Sequence, residues 1–150
     1  MKLGQMFAHW KQVRRELIWT TDQFDETELG YSPFESSRPV GEIMLHIASA
    51  EEGWFQYVVR GELSGWPEYE LAKFNDLESI KKRLNQVHER TEEFLDGMET
   101  STLEQDVELP WSGKTTSLGW IIWHVLEHEI HHRGELSLIL GLLGREGLDV

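Results

Sequence analysis

Apolar side chains recur at spacings of three and four residues in four stretches of the chain, the period of a helix with one buried face. The first stretch carries Leu3, Met6, Phe7, Trp10, Val13 and Leu17 and reads as one helix reaching about Phe24. Gly30, Ser32, Pro33, Ser36, Ser37 and Pro39 then form a loop, and Pro39 suits the first turn of the next helix, where its missing donor is not needed. The second stretch, from about Pro39 to Arg60, aligns Ile43, Ile47, Ala50, Trp54 and Tyr57; Gly61, Gly65 and Pro67 end it. The third, from about Asp76 to Met98, repeats Leu77, Ile80, Leu84, Val87, Thr91, Phe94 and Met98 almost as a heptad seam. Asn75 with Glu78 reads as its capping pair. A loop with Pro110, Trp111, Ser112 and Gly113 follows. Thr116 or Ser117 then starts a last helix along Leu118, Ile121, Val125, His128, His132, Leu136, Ile139 and Leu143, with Gly144 as its stop.

Alternating strand patterns are scarce, and Thr102 to Leu109 is the one weak candidate. Four helices of roughly 20 residues on a chain of this length predict an all-α fold, a four-helix bundle, as a single domain over residues 1–150. The long first and third connections are the places where the chain is expected to cross over rather than turn back.

Charge narrows the function classes. With 14 basic and 27 acidic residues the net charge is −13, which repels phosphate backbones and anionic membrane surfaces. Neither nucleic acid nor membrane is an expected partner; a small molecule is. No Cys is present, which excludes disulfides, thiolate metal ligands and a Cys nucleophile. The opening MKLGQMFAHWKQVRRELIW has neither the apolar core nor the cleavage site of a secretory signal, so a cytoplasmic setting is expected.

Four of the seven histidines crowd into HVLEHEIHH, residues 124–132. His128 and His132 are one turn apart on the apolar stripe, with about 6 Å of axial rise between them, so both imidazoles can turn to one cation. His124 and His128 have the same spacing, but His124 lies toward the stripe's edge, as an alternative ligand or a supporting residue. A third ligand must come from elsewhere. His46, beside Ile43, Ile47 and Ala50 on the second helix, is the best placed. His9 and His88 fall beside their stripes, and His131 turns about 100° away from His132 toward solvent. A lone inward His is ordinarily a satisfied core residue; a pair on one stripe with a third on another is harder to explain that way. The run HEIHH also fits the H-E-x-x-H pattern of zinc proteases with Glu129 as base, yet Glu135 stands where one such class needs Gly, and no strand-built region precedes it.

At these residues the whole chain resembles the DinB/YfiT-like family. Trp10 to Leu17 is similar to its first helix and Gly41 to Trp54, with LHIASAEEGW, to its second. SLGWIIWHVLEHEIHHRGEL, Ser117 to Leu136, is the most specific piece: a His on helix two, then H-x-x-x-H-R-G on the last helix. The resemblance implies an up-down-down-up bundle, often dimeric, with a three-His divalent metal site whose ligands fall on His46, His128 and His132. Glu135 stands where relatives commonly have Gln.

Three neutral imidazoles leave an ion its full charge and open coordination positions, the arrangement of catalytic rather than structural sites. The first hypothesis is therefore an enzyme. The resemblance implies either a thiol-dependent S-transferase or a metal-dependent hydrolase. Without Cys, any thiolate must arrive on a low-molecular-weight thiol cosubstrate. The expected metal is zinc or nickel, since imidazole accepts both. Glu129 and Glu135 are the candidates for a general base, though no catalytic residue is assigned. Trp54, Trp111, Trp120 and Trp123 are available to wall an apolar pocket. The second hypothesis is a non-catalytic metal-binding or stress-response bundle protein.

Overall fold

A computed structural model describes all 150 residues. It contains helices α1 (Leu3–Met6), α2 (Trp10–Asp22), α3 (Val40–Glu52), α4 (Leu77–Gly97) and α5 (Leu118–Leu142), with a short hairpin of β1 (Asp106–Glu108) and β2 (Thr115–Ser117) before α5. The four long helices are those that the apolar periodicity predicts.

Details of their ends differ from the sequence reading. The first helix is broken at Phe7–His9, because α1 is tied sideways to the end of α4: Leu3 N–H donates to the Met98 carbonyl at 3.0 Å, and Lys2 pairs with Glu99 across a β-bridge. The cap of α4 is Asp76, not Asn75, and its carboxylate accepts from the Ser79 N–H at 2.6 Å. Ser117 caps α5 by accepting from the Trp120 N–H at 3.1 Å, while Thr116 pairs with Val107 in the hairpin. Gly144, at φ +80°, ends the last turn of α5.

Contacts between helices fix the topology. Phe7, just before α2, and Arg14 and Glu16 on it meet Trp123, Glu129 and Arg133 in that order, so α2 and α5 run parallel. Residues 51 and 56 meet 88 and 90, so α3 and α4 are also parallel. His46 meets His128 while Trp54 meets Trp120, so α3 and α5 are antiparallel. The order is up-down-down-up, with α2 diagonal to α3 and α4 diagonal to α5. The first and third connections therefore cross the bundle ends, and the middle one runs back along its length. No helix is long and apolar enough to cross a membrane.

Two apolar clusters fill the bundle. One gathers Leu17, Ile43, Ile47, Ile80, Leu84 and Leu136; the other gathers Leu3, Trp10, Phe55, Leu118, Ile121 and Val125. Between them lies a polar layer to which each long helix contributes one residue: Arg14, Glu51, His88 and Glu129, all buried. Beyond Glu52 the second helix continues for seven residues, Gly53–Val59, in π geometry. A π turn takes an extra residue and shifts the helix phase. Phe55 and Val58 consequently turn into the core, while Trp54 and Tyr57, expected on the inward stripe, are only half-buried.

Candidate metal centre

α3 and α5 bring His46, His128 and His132 together in the groove between them. His46 Nε2 and His128 Nε2 are 2.9 Å apart. The three ring centroids lie 4.4–4.9 Å from one another. One nitrogen from each ring falls within 4.8 Å of the others. His132 is buried and the other two are half-buried, so the group opens on the groove wall rather than in the bundle interior where the sequence stripe places it.

The environment keeps these rings neutral. Burial, with the charges of Arg38 and His132, lowers the His46 pKa to about 4. Burial and the neighbouring histidines lower that of His128 to about 3. Burial also lowers His132, with Glu135 opposing the shift. Glu135 Oε2 accepts from His132 Nδ1 at 2.6 Å, which fixes the tautomer and leaves the Nε2 lone pair as the free donor. Neutral imidazoles whose ring nitrogens converge are a donor set that a borderline divalent cation fits.

The two carboxylates considered as bases have separate places. Glu135 touches the site through His132. Glu129 does not: it is 1 % exposed and faces α2, where it accepts from Trp10 Nε1 at 2.7 Å and from Arg14 Nε and a terminal Arg14 nitrogen at 2.9 and 2.7 Å. Its oxygens are committed, which removes it as a base and removes the zinc-protease reading of HEIHH. Arg14 also pairs with Glu51, which accepts in turn from His88 Nδ1 at 2.8 Å. Glu51 and Glu129 with His88 could offer three donors to an ion, but the Arg14 guanidinium already supplies the positive charge there.

Residues 9–136 match the DinB superfamily. The chain belongs to the DinB superfamily. YjoA of Bacillus subtilis strain 168 is 21 % identical over 146 residues, covering 97 % of this chain and 93 % of that protein. The crystal structure of that DinB-like protein superposes with a TM-score of 0.77 at 19 % identity, over 97 % of this chain and 96 % of the other. A DinB-like protein from Bacillus cereus ATCC 10987 gives 0.76 at 16 % identity, over 96 % and 94 %. YfiT from Bacillus subtilis, a probable metal-dependent hydrolase with an unusual four-helix bundle topology, gives 0.57 at 19 % identity, over 89 % and 87 %.

In this DinB bundle several residues near the histidines escape a reading by periodicity. Arg38, Glu42, Ser49 and Tyr69 border an open cleft that His46 also lines. Trp66, from the loop after the π segment, joins Trp54, Trp111 and Trp120 beside His124. Trp123, expected with them, turns to Phe7 instead, at 5.2 Å between ring centroids. His131 is exposed, as its phase predicts. Arg14 and Glu51 did carry a signal: each is a polar residue at the phase of an apolar stripe. His88, expected beside its stripe, is instead buried, where Glu51 pairs with it.

Proposed function

We propose that His46, His128 and His132 hold one divalent ion, zinc or nickel, and that the protein is a metal-dependent enzyme acting on a small molecule. Its reaction is of the hydrolase or thiol-dependent S-transferase type. The observation that carries this reading is the convergence of three neutral ring nitrogens from two antiparallel helices in a group that ends at three donors. An ion bound there supplies Lewis acidity that lowers the pKa of a coordinated water or thiol toward neutrality. Glu135 holds the proton on His132 Nδ1 and so aims that ring. Arg38 adds positive charge at the mouth of the site. With no Cys in the chain, a thiolate comes with a low-molecular-weight cosubstrate.

A catalytic role is favoured over a purely structural ion because the histidines line a groove, outside both apolar clusters, and three protein donors would leave an ion open to further ligands. The test is elemental analysis of the purified protein, followed by a screen of the zinc and nickel forms against small thiols with electrophiles and against hydrolysable amides and esters. Stoichiometric metal with metal-dependent turnover is expected. Stoichiometric metal with no turnover on any of these would favour the non-catalytic, stress-response type of bundle. We also infer a cytoplasmic homodimer. The outward face of α5 exposes Trp123, Ile130 and Leu138, large apolar side chains of the kind that a second copy covers, and light scattering reads the mass.

A further inference from the structure

Four tryptophans gather at the end of the α3–α5 groove next to the histidines. Trp54 packs edge-to-face against Trp66, Trp111 and Trp120, with 5.7 Å between centroids in each case. The four come from separate segments: the π segment, the loop after it, the tip of the β-hairpin and the first turn of α5. Trp66 is specifically seated. Its indole lies over Gly53, where a Cβ would come within 2.5 Å of the ring, and its Nε1 donates to Ser49 Oγ at 3.2 Å.

Despite this placement the rings are left in water. Trp66, Trp111 and Trp120 are 38 %, 56 % and 49 % exposed. Contiguous exposed aromatic surface of this kind marks a recognition surface more than a core. His124 joins it to the three histidines. That ring stacks on Trp120 at 4.6 Å and 10°, meets Trp54 at 5.3 Å, and stands one turn before His128 on α5. The wall also meets the cleft of His46 through Ser49, which accepts from Trp66 and lines that cleft.

We propose that the wall of Trp54, Trp66, Trp111 and Trp120 is a substrate subsite that receives a flat aromatic group of the small molecule whose reactive end reaches His46, His128 and His132. This rests on the reading of those histidines as a metal centre. His124 and Trp120 stand one and two turns from His128, about 6 and 12 Å along the axis, which suits a ring joined to the reactive group through a few bonds. The net charge of −13 disfavours an anionic ring and suits a neutral or cationic one, which the indole faces also attract.

Zinc-loaded protein titrated with acetohydroxamate and with 2-naphthohydroxamate separates the two ideas, since both probes present the same chelating group and only one carries a ring. The naphthyl probe is expected to bind at least tenfold more tightly and to quench tryptophan fluorescence. The double variant W111A/W120A should cut that advantage below threefold with the acetohydroxamate affinity unchanged, and W19A on α2 should alter neither. Equal affinity of the two probes for the wild type, or an advantage that survives W111A/W120A, overturns the subsite and leaves the metal centre standing. Failure to bind zinc at all overturns both. A dimer that W111A/W120A converts to monomer, without ring preference, assigns the wall to a second copy of the chain and also overturns the subsite.

Discussion

Arg14 grips Glu129 through both carboxylate oxygens, and Glu129 immediately follows His128. With Glu129 held against α2, His128 lies about 100° round α5 and is turned toward α3. The buried pair thus sets the rotational phase of the helix that carries two of the three histidines. Arg14 is at the same time the counter-charge for Glu51. Replacing it by Met leaves two buried carboxylates without a cation, which typically costs about 3–5 kcal/mol. R14M should therefore unfold at a much lower urea midpoint than the wild type. Neutralising both acids in R14M/E51Q/E129Q should recover a large part of the loss. An R14M protein as stable as the wild type would mean that the layer is not a paired charge network.

Loss of any one of the three proposed ligands should remove stoichiometric metal. H46A, H128A and H132A are each expected to reduce bound zinc from one per chain to background, read by elemental analysis after dialysis, whereas H124A should retain it. Because the three rings lie outside the apolar clusters, the same variants should keep the helical circular dichroism of the metal-free wild type. Chelation should likewise lower the melting temperature only modestly, since the proposed ion would join two helices already packed together. A collapse of the fold on chelation would make the ion structural.

Why some of this was legible in the chain and some was not follows from periodicity. The helices were, because Ile80–Leu84–Val87 or Ile121–Val125–Leu136 hold one phase over many turns. The phase was lost after Glu52, since a π segment inserts a residue without a sequence mark, and Phe55 rather than Trp54 became the core residue. His128 and His132 were legible as neighbours on one helix, a local fact. Their approach to His46 depends on the up-down-down-up order, which spacing does not encode. The tryptophan wall draws Trp66 and Trp111 from connections with no period at all, so Trp111 was available by residue type alone and Trp66 carried no signal. Glu129 could have been read more sharply: it shares its phase with Ile122, Leu126 and Leu136, which marks it as inward and paired rather than as a free base.

Glu135 gives a test of support behind the proposed ligands. Its carboxylate is the acceptor that holds His132 Nδ1–H, and partners of this type commonly account for 10–100-fold in metal affinity. E135A should weaken zinc binding by roughly that factor in a competition titration with a chromophoric chelator. E135Q, which keeps an acceptor oxygen but loses the charge, should fall between E135A and the wild type. Equal affinities for all three proteins would show that the contact does not orient the ring.

The pH dependence of the metal-free fold should have two stages. His46 and His128 have folded pKa values of about 4 and about 3, chiefly from burial, below the ~6.5 of an unfolded imidazole. The unfolded chain therefore takes up protons first, and stability should begin to fall as pH drops below ~6.5 and go on falling to about 3. Glu51 supplies the second stage. Burial alone would raise its pKa, but Arg14 and His88 outweigh that and hold it at about 2, against ~4.3 when unfolded. Its contribution is complete above ~4.3 and is lost as pH falls toward 2. Urea midpoints of the metal-free protein from pH 7.5 to 2.5 should trace both declines, with the upper one flattened in a variant lacking His46 and His128. Midpoints that rise on acidification from pH 7 to 5 would contradict the neutral, partly desolvated state of the histidine group.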